Sequence, residues 1–340
     1  MTDLLQIRAL TVEYTTRRGT ARAVDKVSLT LEENKTLGLA GESGCGKSTL
    51  GRAVIGLVPA PGRIVEGEII LDLDEDVPYG EKGVVKGGHV NLTQLDTAQY
   101  RALRGRKLAY IFQDPMTSLN PMLTIGKHFT QLIRTHDPKV SKDEALDRAG
   151  DILEALGILP ERLGDYPHQF SGGMRQRVMI GLALALQPRL LIADEPTTSL
   201  DVIVEAQILE QIAQLKKKFN LTTILMTHNL GVLAQVADSI AIMYCGRLME
   251  VASTEALFAD PQHPYTQALL RSVPDVTKPE KKLTGIPGAP PDLVNPISGC
   301  MFRPRCPQAM KVCVSQVPPL IKSQTKGLVA CHLYKEGKTK

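Results

Sequence analysis

No stretch of this sequence is apolar for long enough to cross a bilayer. The most apolar candidate, residues 178–193, is broken by Gln187, Pro188 and Arg189, well short of the roughly 20 apolar residues that a spanning helix requires. Like charges do not cluster either: the formal net charge is +4 over 340 residues, and there is no basic block of the size, about five or six residues, that marks an interaction tail. DNA and RNA are therefore not expected partners, because nucleic-acid binding rests on phosphate neutralisation. The opening Met1-Thr2-Asp3 lacks a basic region followed by an apolar run and a small-residue cleavage site, so a cytoplasmic rather than a secreted chain is expected. In that compartment the six cysteines read as thiols or metal ligands rather than as a disulfide framework. Aromatic residues are scarce at 4%, a fraction that does not identify which ring would stack on a ligand. What is present, 43% hydrophobic and 22% charged residues, is the composition of a globular protein. The length suits one large domain with an appendage.

Residues 5–31 alternate apolar and polar positions (Val12 and Tyr14; Val27, Leu29 and Leu31), the period of half-buried strands, so a small antiparallel layer is expected first. Residues 37–40 form a short apolar strand; Leu50, Val54 and Leu57 then share a helical face, giving the order strand, Gly-rich loop, helix. Further short apolar strands at 108–112, 190–193, 223–226 and 240–244 alternate with helical patterns, as in a doubly wound parallel sheet. Residues 143–156 lead a helix-rich subdomain of about 113–186. Residues 240–251 pivot on Cys245-Gly246 and read as a hairpin. Residues 72–88, rich in glycine and charge, read as a surface loop or hairpin insertion to which the sequence assigns no role. After Arg271 prolines crowd the chain. The expected division is therefore a large α/β domain over 1–271, followed over 272–340 by a Pro-rich linker and a small terminal module with four cysteines.

Gly41-Glu42-Ser43-Gly44-Cys45-Gly46-Lys47-Ser48-Thr49 matches the P-loop pattern between a strand and a helix. Glycines let the backbone wrap phosphates, and successive amides and the helix N-terminus offer donors and positive potential. Lys47 reaches toward the β/γ oxygens, and Ser48 is placed to hold Mg²⁺. At 190–196 an apolar strand delivers Asp194 and Glu195 at its C-terminal end, the edge where α/β sheets bind ligands. Asp194 is expected to support Mg²⁺ and Glu195 to polarise the attacking water or take its proton. A lone acidic pair after a strand is usually a solvated loop; beside a P-loop it is a catalytic candidate.

With these motifs in view, Ser171-Gly172-Gly173-Met174-Arg175-Gln176-Arg177 resembles the signature loop of the ATP-binding-cassette (ABC) ATPases. The resemblance implies an α/β, P-loop, ABC-type nucleotide-binding domain with an N-terminal antiparallel β layer and a helical subdomain. It also implies that Ser171, Gly172 and Gly173 cap the γ-phosphate held by an opposite subunit. Met174 departs from the glutamine many members carry, leaving Ser171 and Gly173 in place. By the same resemblance Gln113 senses Mg²⁺ and transmits to a membrane partner, Ser199-Leu200-Asp201 forms the D-loop, His228 contacts the γ-phosphate and Tyr14 stacks on adenine. The remaining P-loop positions, Gly41, Ser43, Gly44, Cys45, Gly46 and Thr49, complete the ATP·Mg²⁺ site.

Residues 113–121, Tyr166-Pro167-His168-Gln169 and His263-Pro264-Tyr265-Thr266 look like the oligopeptide and dipeptide importer branch. That implies ATP-driven import of di- or oligopeptides, with oligosaccharides or nickel as other cargoes of the branch. A soluble ABC ATPase without a transport role is the competing class. The implied partners are a second ABC ATPase, as a heterodimer or homodimer, two transmembrane permease subunits and an extracytoplasmic solute-binding protein. The implied location is peripheral, on the cytoplasmic face of the cell membrane. Cys300, Cys306, Cys313 and Cys331 sit in a segment with few apolar residues, where four thiolates suit an iron–sulfur (4Fe-4S) cluster or a structural zinc. The absence of tight Cys-x-x-Cys pairs favours iron and sulfur, and the branch includes members with such a cluster. Four unligated thiols are the alternative.

Overall fold

The computed structural model describes residues 2–113, 118–197, 219–272, 285–323 and 327–334, together with 205, 210, 214 and 216. The first elements are β1 (Asp3–Thr16), β2 (Gly19–Glu32), β3 (Thr36–Ala40) and helix α1 (Lys47–Val54). There follow β4 (Gly62–Leu73), β5 (Val77–Tyr79), β6 (Gly83–Val85) and β7 (Gly88–Asn91), then α2 (Thr97–Leu103) and β8 (Leu108–Ile111). An antiparallel sheet in the order β2-β1-β4-β7 realises the alternation of the opening residues. Leu5, Ile7, Leu10 and Val12 all reach the core, although the step from 7 to 10 breaks the period of two. A register shift absorbs the extra residue, with Ala9 at φ 44° opposite a region where Gly67 lies within hydrogen-bonding strands. Such a bulge lets the apolar face return to the same side.

Three helices, α3 (Ile125–His136), α4 (Lys142–Ala155) and α5 (Gly172–Leu184), occupy the region expected to be helical. Their N-termini are capped by Thr124, Ser141 and Ser171, each side chain accepting from a backbone amide three residues on, which satisfies donors that a helix start leaves open. Ile125, Phe129, Ala149, Leu153 and Val178 form a core of their own. Leu57 differs from the expected pattern. Gly56 takes φ 61° directly after Ile55 and ends α1 in a left-handed turn, so Leu57 leaves the helical face and is 40% exposed.

The remaining elements are β9 (Leu190–Asp194), β10 (Thr222–Thr227), α6 (Leu230–Val236), β11 (Ser239–Tyr244), β12 (Arg247–Ser253), α7 (Thr254–Ala259) and α8 (Pro264–Arg271). Near the end lie a short helix α9 (Val312–Ser315) and strands β13 (Ile321–Lys322) and β14 (Leu328–Val329). The second sheet runs β13-β14-β12-β11-β3-β10-β9-β8. Its centre, β11-β3-β10-β9-β8, is parallel. Strands β3, β9 and β10 are buried along their whole lengths, as expected where helices cover both faces. The turn Cys245-Gly246 has φ 47° and 79°, positive at both central residues as a tight hairpin of this hand requires. Beyond it β12 pairs with β14 through Glu250↔Val329 and Val251↔Leu328, so the C-terminal segment extends the main sheet. Residues 72–88 are a hairpin: β5 and β6 pair, Val77 and Val85 enter the main core, and Lys107 Nζ lies 2.7 Å from both Asp74 and Glu75.

Candidate nucleotide site

Adjacent parallel strands β3, β10, β9 and β8 end on one edge, and each delivers one part of the site there. The P-loop leaves β3, His228 follows β10, Asp194 and Glu195 close β9, and Gln113 stands just beyond β8. Gly41 and Gly46 are required by the backbone: a Cβ on either would lie 2.2 Å from a carbonyl oxygen, that of Met243 or of Ala23, and their φ angles are 152° and 109°. No side chain fits such an approach, and positive φ is strained for residues other than glycine. The resulting cavity, about 190 Å³, is lined by Ala23, Ser43, Gly44, Gly46, Lys47, Ser48, Thr49, Gln113 and Glu195.

Lys47 is 5% exposed, and its Nζ donates to Gly41 O at 2.8 Å and Glu42 O at 3.4 Å. Ser48 Oγ donates to Asp194 Oδ1 at 2.9 Å, and Tyr110 OH donates to Oδ2 at 2.7 Å. Burial and the neighbouring Asp194 carboxylate push the Tyr110 phenol far above its usual range, so it stays a donor. Glu195 has φ 46°, and its amide donates to Met226 O at 2.9 Å, so strand β10 fixes its backbone. Gln113 Nε2 donates to Glu195 Oε2 at 3.0 Å. His228 Nδ1 lies 3.5 Å from Glu195 Oε1, an ion pair when the imidazole is protonated. The carboxylate is thus held between two polar side chains at the mouth of the phosphate loop.

Other expected residues fall elsewhere. Ser171 caps α5, accepting from Met174 N at 3.3 Å, and neither it nor Gly172 nor Gly173 lines the P-loop cavity. Met174 Sδ lies 3.8 Å from Arg162, whose guanidinium also stacks 4.4 Å from the Phe170 ring centre. Tyr14 is half-buried with its ring against Gly62 and Val58, outside the lining of the cavity. Asp201, and with it Ser199-Leu200, lies outside the described residues, as do residues 114–117.

Cys300, Cys306, Cys313 and Cys331 come together on the wall of one small cavity, with His263 and Phe302. Burial raises the Cys300 and Cys306 thiols and takes Cys331 to about 11, with neighbouring cysteines adding to each shift. Among the described residues no three His, Cys, Asp or Glu side chains meet as a ready set of ligands for a metal ion. Sequence reasoning missed Tyr110, which looks like an ordinary strand residue, and the contact of Glu42 with Arg305 described below.

A phosphate loop after a buried central strand, with an acidic strand end and a polar residue from each flanking strand, defines a P-loop nucleoside-triphosphatase. Residues 24–198 match the ABC transporter family model, and residues 249–313 match that of the oligopeptide/dipeptide transporter C-terminal region. The chain is 44% identical to the oligopeptide transport ATP-binding protein OppD of Bacillus subtilis, over 95% of this chain and 86% of that one. Similarity to the dipeptide transport ATP-binding protein DppD of Escherichia coli is 40% identity over 97% and 96%. The dimeric structure of MJ0796, a bacterial ABC transporter cassette, aligns with TM-score 0.61 at 25% identity over 74% of this chain and 98% of that one. The chain belongs to the oligopeptide/dipeptide family of ABC transporter ATP-binding proteins.

Proposed function

We propose that this chain is the ATP-binding and hydrolysing subunit that powers import of di- or oligopeptides through a membrane transporter. The observation that carries the reading is the split between its two phosphate-binding elements. Lys47, Gln113 and Glu195 share one cavity, whereas Ser171-Gly172-Gly173, a helix N-terminus suited to anions, stands outside it. A complete site then needs two surfaces, and a second cassette, homologous or identical, supplies the missing one. Two permease subunits and an extracytoplasmic solute-binding protein complete the assembly, with this chain at the cytoplasmic face. No helix among the described residues is long and apolar enough to cross a membrane; in this reading the permeases hold the chain at the membrane. The groove beside Gln113, lined by Ile55, Leu57, Tyr110, Phe112, Leu132 and Met179, offers them an apolar seat.

In this reading the P-loop amides and Lys47 hold the β- and γ-phosphates, and Lys47 leaves its backbone carbonyls to do so. Ser48 Oγ and the Asp194 carboxylate, already in contact, are the hard oxygen donors that fit Mg²⁺, which when bound neutralises phosphate charge. Glu195 accepts a proton from the attacking water or polarises it, oriented by Gln113. His228 lies on the other side of Glu195 and contacts the γ-phosphate, and Ser171 of the opposite cassette caps it. Tyr14 is the adenine-stacking candidate, which requires its ring to turn away from Gly62, and Asp201 belongs to the dimer contact. Closure on ATP and opening after hydrolysis form a two-state switch biased by the γ-phosphate. Glu195→Gln is expected to keep ATP binding, accumulate the closed dimer and lower turnover by about 10²-fold to 10⁴-fold, the range of lost general-base catalysis. Unchanged turnover in the assembled transporter refutes the assignment, and peptide-stimulated ATPase activity tests the cargo.

The four terminal cysteines are the proposed ligands of a structural iron–sulfur cluster. Four soft sulfur donors around one cavity fit such a group, which when bound would cross-link the C-terminal segment. An anaerobically purified sample with neither iron nor visible charge-transfer absorption removes it from the reading.

A further inference from the structure

Glu42, the first variable residue of the P-loop, is tied to a residue 263 positions away. Its two carboxylate oxygens accept from Arg305 Nη1 at 2.7 Å and Nη2 at 2.9 Å, a two-pronged contact in which the planar guanidinium fork matches the carboxylate. The Arg305 side chain is only 4% exposed, and its remaining reach is used as well. Nε donates to Pro287 O at 2.9 Å, Nη2 to Ile286 O at 3.1 Å and Nη1 to Tyr244 OH at 3.2 Å. The same loop residue is held from a second side, its amide donating to Tyr265 OH at 3.0 Å. Tyr244, Tyr265 and Phe302 pack as a ring cluster, with centroids 4.7 to 5.4 Å apart. Arg305 lies in the turn Arg303–Arg305 directly before Cys306. The C-terminal segment therefore grips the loop that carries Lys47, at the residue whose carbonyl lies 3.4 Å from the Lys47 ammonium.

We propose that Arg305 is a positioning residue for nucleotide capture, through which the C-terminal segment holds the P-loop in its phosphate-cradling shape. This rests on the reading of residues 41–49 as the ATP site. A Gly-rich loop has many conformations to lose on binding, and a partner that fixes it beforehand removes that cost from the binding step. A fork is needed because a single ammonium holds a carboxylate as a point charge and leaves its orientation free. Glu42 and Arg305 should therefore act as one unit, and nucleotide affinity should fall while the chemistry at Glu195 continues.

The test is nucleotide binding by the full chain, with KM and kcat for ATP in the assembled transporter. Arg305→Lys, Arg305→Ala and Glu42→Ala are each expected to weaken ATP and ADP binding by about tenfold, the loss of a preorganising contact. KM for ATP rises in proportion, with kcat within about twofold of wild type, as when uniform binding is removed. The double variant Glu42→Ala/Arg305→Ala should bind no more weakly than its worse single parent, since the pair is coupled. If Arg305→Ala does not fold, as judged by melting without nucleotide, Glu42→Ala and Arg305→Lys carry the test. Folded variants with unaltered affinity, a fall in kcat alone, or additive losses in the double variant overturn the proposal. Lys47→Ala in the same assay separates the two readings: if it binds nucleotide like wild type, the ATP site itself is misassigned, whatever the Arg305 variants do.

Discussion

Asp194 is 1% exposed, yet both of its carboxylate oxygens have hydrogen-bond donors, Ser48 Oγ on one and Tyr110 OH on the other. The two donors are not equivalent. Ser48 lies in the P-loop and is a candidate Mg²⁺ ligand, whereas Tyr110 belongs to β8 and holds the carboxylate from the sheet side. Tyr110→Phe removes a hydroxyl and leaves a buried carboxylate oxygen short of a partner, at a cost of about 1–3 kcal/mol. A lowered urea midpoint with little change in the Mg²⁺ dependence of ATP affinity is expected. Ser48→Ala, in contrast, should shift the Mg²⁺ dependence itself. An unchanged urea midpoint in Tyr110→Phe means that the hydroxyl contributes nothing to stability. At this scale the sequence was readable where chemistry is local: residues 41–49 carry their spacing in a single string. Tyr110 was not, because its partner lies 84 positions on and a tyrosine in a buried strand carries no mark of what its hydroxyl meets.

Helix α3 ends at His136, where the helix dipole favours a cation, yet burial and the positive charge of Arg106 hold the imidazole below its ordinary value. Arg106 also donates to the His136 carbonyl, so the helix end already has a fixed cation, and a second one is repelled. With the folded value depressed, the unfolded chain takes up its proton first as pH falls through the ordinary histidine range near 6.5. The contribution of neutral His136 is therefore present above that range and is lost toward lower pH. Denaturant midpoints measured between about pH 7.5 and 5 are expected to fall less in His136→Gln than in wild type; equal slopes would show that another group carries the acid sensitivity. The elements themselves were mostly legible, since hydrophobic periodicity is a short-range signal. The bulge at Ala9, the end of α1 at Gly56 and the pairing of β12 with β14 were not. The first two depend on one backbone angle each, and the third joins residues about 80 positions apart in the sequence through hydrogen bonds that composition does not encode.

Across the whole molecule, the strand order β3-β10-β9-β8 gathers residues 41 to 228 at one edge, which explains how motifs far apart in the chain share a cavity. The same order leaves Ser171 outside it, at the N-terminus of α5, a helix that packs Val178 into the helical cluster and Ile180 and Leu184 into the core of the main sheet. If the second phosphate-binding surface comes from another cassette, the two functions of the chain are separable by mutation. Ser171→Arg places a large cation where the opposite nucleotide must dock, yet touches nothing that lines the chain's own cavity. ATP affinity of the separate chain should then stay within about twofold of wild type, a difference under about 0.5 kcal/mol. The closed dimer accumulated by Glu195→Gln with ATP should be lost when Ser171→Arg is added, whether the partner is a second copy or a homologous cassette. Size-exclusion chromatography with and without ATP reads the second quantity, and equilibrium nucleotide binding reads the first. A fall in binding by the separate chain would mean that Ser171 serves its own P-loop, and a dimer that persists would mean that the capping surface lies elsewhere.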